Sequence, residues 1–366
     1  MKKIFSIFAI LIFSMFFNAK IPNTPISKTK NIYLNISLHL EGTPYSQISN
    51  YQRYERHIQA VNQFIIPIKN ENPKVKFNFE LSHQFILQDS MHGETKFGIG
   101  NSFSKIQKAE GHSILIHADI GGQSESNTEY EYKLSRIISD FETLMGEKPI
   151  GASGICGTND WLGSLKDNGI KYITSLVEFC KKSIFKKKLA PTDWWVKSCV
   201  TPGSTVPENE IPWDPSIRNC HGIFPKLGKL TIRPFFMKNS RDWLKNINQV
   251  SMLNSINKKR EIMAFASMPI GKLTCLSNSA TEATCLEDHM DIIEFENRLN
   301  DSLSVVNSHN YKNNYLNFVL SVGELYNPTY SSSIGKVLKD FTSDNNITWK
   351  SVEDSYNSTF KRHRIK

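Results

Sequence analysis

The feature that most constrains the fold of this chain is a repeated alternation between short apolar runs and longer stretches with helical spacing. After about residue 30, the runs rich in β-branched and aromatic residues have the composition of buried strands. Strands that alternate with helices usually form a parallel sheet, because a parallel connection needs a crossover. Strands are predicted over 32–40, 75–82, 113–118, 149–154, 171–177, 230–236, 262–269 and 315–322. The sequence therefore predicts an α/β fold, and seven or eight strands suit a barrel with its working residues at the strand C-terminal ends.

The intervening stretches predict helices over 54–68, 128–145, 158–169, 292–307 and 334–345. The 366 residues contain no internal repeat and no low-complexity linker, which favours one domain over two. We expect this domain to span 30–361. The segment 181–228 is rich in Pro, Trp, Cys and charge, so it is interpreted as an irregular excursion from the barrel.

The first 19 residues have the pattern of a secretory signal peptide. Two lysines precede an uncharged apolar run from Ile4 to Phe17, and the small residue Ala19 follows. A membrane anchor is the alternative, but the run is shorter than the roughly 20 residues of a spanning helix. The sequence therefore predicts a periplasmic or secreted protein with no stable membrane insertion after cleavage.

Six cysteines in an exported chain suit three disulfides, because the compartment beyond the membrane is oxidising. Zinc binding by thiolates is the alternative, although no two cysteines form a CxxC pair. Sequence does not determine connectivity. The pairing that we expect, which would pin the excursion, is Cys156 with Cys180, Cys199 with Cys220 and Cys275 with Cys285.

The formal net charge is +9, but the lysines are scattered and no nucleic-acid motif accompanies them. The one dense basic cluster, at 180–188, is typical of a solvated loop. We expect no nucleic-acid partner. An anionic glycan or cell-wall polymer is compatible with the charge, and oligomeric state is not predicted.

Two predicted strands end in a histidine and a carboxylate separated by one residue. The first strand ends with His39 and Glu41, and the third with His117 and Asp119. Side chains two apart on a strand point to the same side, so each pair can converge on one ion. We expect the two strand ends to be neighbours and together to offer four ligands for zinc or a similar divalent cation. The alternative is a hydrogen-bonded polar cluster without metal.

Several other residues near predicted strand ends are candidates for catalysis. Glu80 lies between apolar neighbours in the second strand, where burial would raise the pKa of the carboxyl group and suit it to general acid or base catalysis. A salt-bridged strand residue is the alternative. Glu324 follows the last long strand. Asp160 is a third catalytic candidate, but its position also suits the start of a helix.

Substrate contacts are predicted at Glu178, at the end of the fifth strand region, and at the adjacent Trp194 and Trp195. Aromatic faces suit the apolar faces of sugar rings, although core packing explains paired tryptophans equally well. No phosphate-binding loop, nucleophile elbow or dinucleotide fingerprint is present.

The order of these motifs resembles the polysaccharide deacetylase superfamily and its related metal-dependent carbohydrate enzymes. The segments that carry the resemblance are SLHLEG, GHSILIH and GASGICGTNDWLGSLKDNGIKYITS, between about 31 and 176. The resemblance implies a distorted (β/α)7 barrel and metal binding by His117, and it extends to His39, Glu41 and Asp119.

The chain departs from the family pattern at two positions. Leu40 stands where the family has its catalytic base, so that role does not carry over. Gly121 stands where the family has its second metal histidine, and Asp119 is the expected substitute. The leading hypothesis is an exported, metal-dependent hydrolase of a glycan or cell-wall polysaccharide. A catalytically inactive carbohydrate-binding surface protein and a metal-independent glycosidase using Glu80 and Glu324 are the alternatives.

Overall fold

The computed structural model describes residues 30–40, 50–118, 126–154, 161–174, 234–237, 262–265, 268–272, 292–322 and 331–364. The elements from Asn31 onward belong to one compact unit. The strands in these ranges are β1 (Asn31–Leu40), β2 (Phe77–Leu81), β3 (Ser113–His117), β4 (Gly151–Ser153), β5 (Tyr172–Ile173), β6 (Phe235–Met237), β7 (Ile262–Ala264), β8 (Met268–Lys272), β9 (Asn313–Ser321) and β10 (Ile347–Trp349). The helices are α1 (Tyr51–Glu71), α2 (His83–Phe97), α3 (Phe103–Ala109), α4 (Asn127–Met145), α5 (Trp161–Asp167), α6 (Ile292–Asn307), α7 (Ser331–Asp344) and α8 (Val352–Arg364).

The described strands form a single sheet with the order β6-β7-β5-β4-β3-β2-β1-β9-β8, and β10 also pairs with β1. Every pairing is parallel except that of β6 with β7. The sheet curves into a half-barrel with helices between its strands. The predicted α/β fold of distorted-barrel type is therefore confirmed.

One predicted strand is wrong in its extent. The apolar run 262–269 is two strands rather than one, because β7 pairs with β5 whereas β8 pairs with β9. The two segments thus lie toward opposite ends of the described sheet. A continuous apolar run indicates that the segment is buried, but it does not indicate which strand each half will pair with.

The strand β1 is buried on both faces, as expected for a central strand of a parallel sheet. One face carries only aliphatic side chains, all at most 1% exposed: Ile32, Leu34, Ile36, Leu38 and Leu40. Alternation places Tyr33, Asn35, Ser37 and His39 on the other face. Tyr33 packs against a largely aromatic cluster composed of Leu115, Tyr172, Met263, Phe265, Tyr315, Val352 and Tyr356.

A buried hydrogen-bond network occupies the middle of that second face. The hydroxyl of Ser37 donates to Asn317 Oδ1 at 2.8 Å, and Asn78 Nδ2 donates to Asn35 Oδ1 at 2.7 Å. Asn78 Oδ1 accepts the backbone N–H of Val352 at 2.9 Å, which satisfies a free donor at the start of α8. The face therefore changes from aromatic to polar toward the C-terminal ends of the strands.

None of the helices in the described ranges is both long and apolar enough to cross a bilayer. The predicted signal peptide at 1–19, the excursion at 181–228 and all six cysteines lie outside the described residues. The predicted disulfides accordingly stay predictions.

Candidate metal site at the strand ends

Three ionisable side chains meet where the central strands end. His39 is the penultimate residue of β1, Glu80 is the penultimate residue of β2, and His117 is the last residue of β3. His39 and Glu80 are directly paired in register. Because parallel strands end at one edge of the sheet, the three side chains converge, and one ligand atom from each lies within 4.8 Å of the other two.

The two histidines approach each other across the intervening strand. Their ring centroids are 4.4 Å apart with an angle of 42° between the ring planes. The expectation that the His39 and His117 strands are neighbours is wrong, because β2 lies between β1 and β3. This order inserts Glu80 into the cluster.

The carboxylate of Glu80 is the electrostatic centre of the group. Its Oε2 forms an ion-pair contact with Nε2 of His39, and the side chain is completely buried. Burial alone would raise the pKa of Glu80, but the adjacent imidazoles of His39 and His117 and the hydrogen bond from Thr174 outweigh it and lower the pKa to about 2. The raised pKa expected from burial is therefore wrong, since opposite charge and a donor outweigh desolvation.

Two buried hydroxyl groups contact members of the cluster. Thr174, the residue after β5, donates from Oγ1 to Glu80 Oε1 at 2.6 Å. Ser153, the last residue of β4, lies with its Oγ 3.0 Å from Nδ1 of His117. Both contacts are buried, and both come from strands that contribute no member of the cluster. Five successive strands thus build one site.

Gly154 closes the site on the side of β4. Its φ of +63° lies in the left-handed region, and a Cβ on this residue would collide with the imidazole of His117. The backbone therefore passes directly against the ring. This close approach leaves the ring of His117 little freedom to rotate away from Ser153.

The structure brings together three of the residues singled out in the sequence: His39, Glu80 and His117. His112, by contrast, precedes the opposite end of β3, where its ring packs against those of Phe77 and Phe79. The remaining predicted site residues lie outside the described ranges, so their roles stay predictions: Glu41, Asp119, Asp160, Glu178, Trp194, Trp195 and Glu324.

The sequence reasoning missed Ser153 and Thr174. Each occupies a strand end, which was the available signal, but hydroxyl residues are common at such positions. Their partners are 36 and 94 residues away in sequence. No local pattern links them.

The donor set suits a divalent cation of the zinc type. Two imidazoles and one carboxylate are a common set of three protein ligands at catalytic zinc sites, which leave a further position for water or substrate. Metal-ligating histidines typically engage their second ring nitrogen in a hydrogen bond, as Nδ1 of His117 does with Ser153. The residues present therefore fit a metal ion held by Nε2 of each histidine and by Oε2 of Glu80.

Solved structures share the fold of the chain along nearly its whole length. A protein from Pseudomonas aeruginosa PAO1, described as a probable polysaccharide deacetylase, aligns with a TM-score of 0.52 and 11% identity over 92% of this chain and 93% of its own. A protein of Mycobacterium smegmatis, described in similarly provisional terms as a polysaccharide deacetylase, gives 0.50 and 9% over 93% and 94%. PuuE allantoinase gives 0.51 and 10% over 91% of each chain.

No protein-family model and no curated protein sequence matches the chain. The similarity is therefore one of structure, and at 9–11% identity it shows the fold alone. The resemblance to the polysaccharide deacetylase superfamily that the sequence motifs indicate is confirmed at this level: the chain has a deacetylase-like fold.

Proposed function

We propose that the chain is an exported, metal-dependent hydrolase of the deacetylase type, which removes acyl groups from a glycan or cell-wall polysaccharide. The observation that carries this proposal is the convergence of His39, Glu80 and His117 at the C-terminal edge of a parallel half-barrel. That edge is where α/β sheets and barrels display their active sites. The deacetylase-like fold supports the reaction class.

The three clustered residues act as ligands in this proposal, and zinc is the proposed metal. A divalent cation bound there would polarise a carbonyl oxygen or lower the pKa of a bound water. Glu80 is assigned to the metal and not to proton transfer, because one of its oxygens faces His39 and the other accepts the hydroxyl of Thr174. Glu41 and Asp119 are proposed as additional ligands.

Access to the cluster is asymmetric. The side chain of His39 is 17% exposed, whereas that of Glu80 is 0% exposed. A substrate therefore reaches the cluster from the side of His39, with Glu80 shielded from solvent. This shielding strengthens electrostatic interactions at the site because less water screens them.

Substrate binding and proton transfer are assigned to predicted residues. Trp194 and Trp195 are proposed to stack on sugar rings, and Glu178 to hydrogen-bond to their hydroxyl groups. Glu324 and Asp160 are proposed for proton transfer. The glycan substrate is supported by the polysaccharide deacetylases among the structural neighbours, and export by the N-terminal sequence.

The experiment that tests the proposal measures bound metal and acetate release together. The purified protein, His117→Gln and the matched control His112→Gln are analysed by metal mass spectrometry. His112 directly precedes β3 and His117 ends it, and each is 6% exposed, but only His117 lies in the cluster. We expect about one ion per chain in the wild type and in His112→Gln, and loss of it in His117→Gln.

Acetate release from acetylated chitooligosaccharides and acetylated xylan should follow the metal content. Chelation should abolish it, and added zinc should restore it. A chelated protein that releases acetate at the full rate contradicts the proposal. Glycan binding that persists after chelation, with no turnover by the loaded protein, supports the alternative of a carbohydrate-binding protein.

A further inference from the structure

The hydroxyl of Thr174 determines which oxygen of Glu80 faces the cluster. Thr174 is itself fully buried, and its Oγ1 donates to Oε1 at 2.6 Å. The second oxygen, Oε2, is left turned toward Nε2 of His39. When one oxygen of a carboxylate is held by a hydrogen bond, the other oxygen points in a single direction. The side chain then loses less conformational freedom when an ion binds.

Ser153 restricts the orientation of His117 in a similar way. Its hydroxyl lies 3.0 Å from Nδ1, and the backbone of Gly154 packs directly against the ring. The backbone carbonyl of Ser153 also accepts the N–H of Ala118 at 2.7 Å, which ties the end of β4 to the residue after His117. With Nδ1 engaged by Ser153, Nε2 is the ring nitrogen that we assign to the ion.

We infer that Thr174 and Ser153 are positioning residues for the metal: they hold Glu80 and His117 so that one carboxylate oxygen and one Nε2 are presented to the ion. This inference rests on the proposed metal dependence and goes beyond it, since it assigns a function to β4 and β5, which supply no ligand. A purely structural role, in which each hydroxyl only satisfies a buried polar group, would change stability and leave metal affinity unaltered.

The test compares zinc affinities of the folded, metal-free proteins by competition with a chromophoric chelator. Thr174→Val removes the hydroxyl at nearly constant volume, and Thr174→Ser retains it. Thr359→Val is the matched control, because Thr359 is also a buried threonine and its Oγ1 lies 3.0 Å from the hydroxyl of Tyr315 in a contact away from the cluster. We expect affinity to fall by about 10- to 100-fold in Thr174→Val and to be preserved in Thr174→Ser and Thr359→Val.

Ser153→Ala provides a second, independent variant that keeps the inference testable if Thr174→Val does not fold. The same fall in affinity is expected, together with a changed visible spectrum of the cobalt-substituted protein. Wild-type affinity in a folded Thr174→Val or Ser153→Ala protein overturns the positioning role of that residue. A wild-type protein that binds neither zinc nor cobalt instead overturns the proposed function itself, so the two failures are distinguishable.

Discussion

The imidazole rings of His39 and His117 lie with their centroids 4.4 Å apart, although their strands are separated by β2 in the sheet. Two imidazolium ions at this distance would repel each other, and the single carboxylate of Glu80 can compensate only one positive charge. The arrangement therefore disfavours protonation of both rings at once, and neutral imidazole is the form that ligates a metal ion. The following predictions test the site and the elements that position it.

Replacing Glu80 by Gln should weaken zinc binding by at least about 10-fold, because it removes the only negative charge among the three clustered residues. The metal-free protein should also lose about 3 kcal/mol of its free energy of unfolding, since a buried ion pair loses one partner. Chelator competition and urea denaturation measure the two effects.

The matched control for Glu80→Gln is Glu110→Gln. Glu110 also pairs with a cation, Lys69, but its side chain is 45% exposed. An exposed pair contributes less than about 1 kcal/mol, so this variant should retain both stability and metal binding. Equal losses of zinc affinity and of unfolding free energy in the two variants would argue against a special role for the buried carboxylate.

Replacing Gly154 by Ala should weaken zinc binding as well as lower the free energy of unfolding. The new Cβ would displace the ring of His117, so we expect weakened zinc binding in addition to the cost of a left-handed alanine, about 1 kcal/mol. Gly146→Ala separates the two effects, because Gly146 has a φ of +76° and no atom near its added Cβ. If Gly146→Ala lowers zinc affinity as much, the contact with His117 is not the cause.

His112 should make the stability of the protein depend on pH below neutrality. Burial, together with Lys69 and Lys76, lowers the pKa of His112 from 6.5 to about 4, against a smaller opposing effect of Glu110. Between these values the unfolded chain binds a proton that the folded chain excludes, so the free energy of unfolding falls as the pH decreases through this window. The loss is on the order of 2 kcal/mol.

The measurement is the difference in unfolding free energy between the wild type and His112→Gln at several pH values from 7.5 to about 4. Taking the difference removes the contribution of carboxylates common to both proteins. The free energy of unfolding of the wild type, relative to that of His112→Gln, should decrease as the pH falls. A difference that is constant with pH would contradict the low pKa.

Asp89 joins α1, α2 and α3 through three hydrogen bonds, and its loss should be strongly destabilising. Its carboxylate accepts the hydroxyl of Tyr54 at 2.5 Å and the backbone N–H groups of Phe103 and Ser104, each at 3.0 Å. Asp89→Ala leaves three buried donors without this acceptor and should cost about 3 kcal/mol or more. Tyr54→Phe removes one of the three bonds and should cost about 1 kcal/mol. Urea denaturation checks this order, and equal costs would contradict it.

The helices show where sequence prediction succeeded and where it did not. The apolar spacing over 292–307 predicts the bounds of α6 correctly, because a regular amphipathic pattern is a local property. The helix α2 was missed. It contains Gly93, which is unfavourable within a helix but is required here, because an added Cβ would lie 2.7 Å from Cβ of Ser102.

The amino-acid sequence by itself determined the α/β class, most of the strands, and the placement of His39, Glu80 and His117 near strand ends, since side-chain periodicity and turn residues are encoded locally. Only the tertiary structure decided that β2 lies between β1 and β3, which brings Glu80 between the two histidines. It also placed His39 and His117 beside Glu80 and brought Thr174 to it across 94 residues, and these groups together reversed the expected shift in the pKa of the carboxyl group. Strand order and the pKa of a buried group depend on residues that are distant in sequence. A local sequence pattern does not indicate which distant residues will become neighbours in the fold.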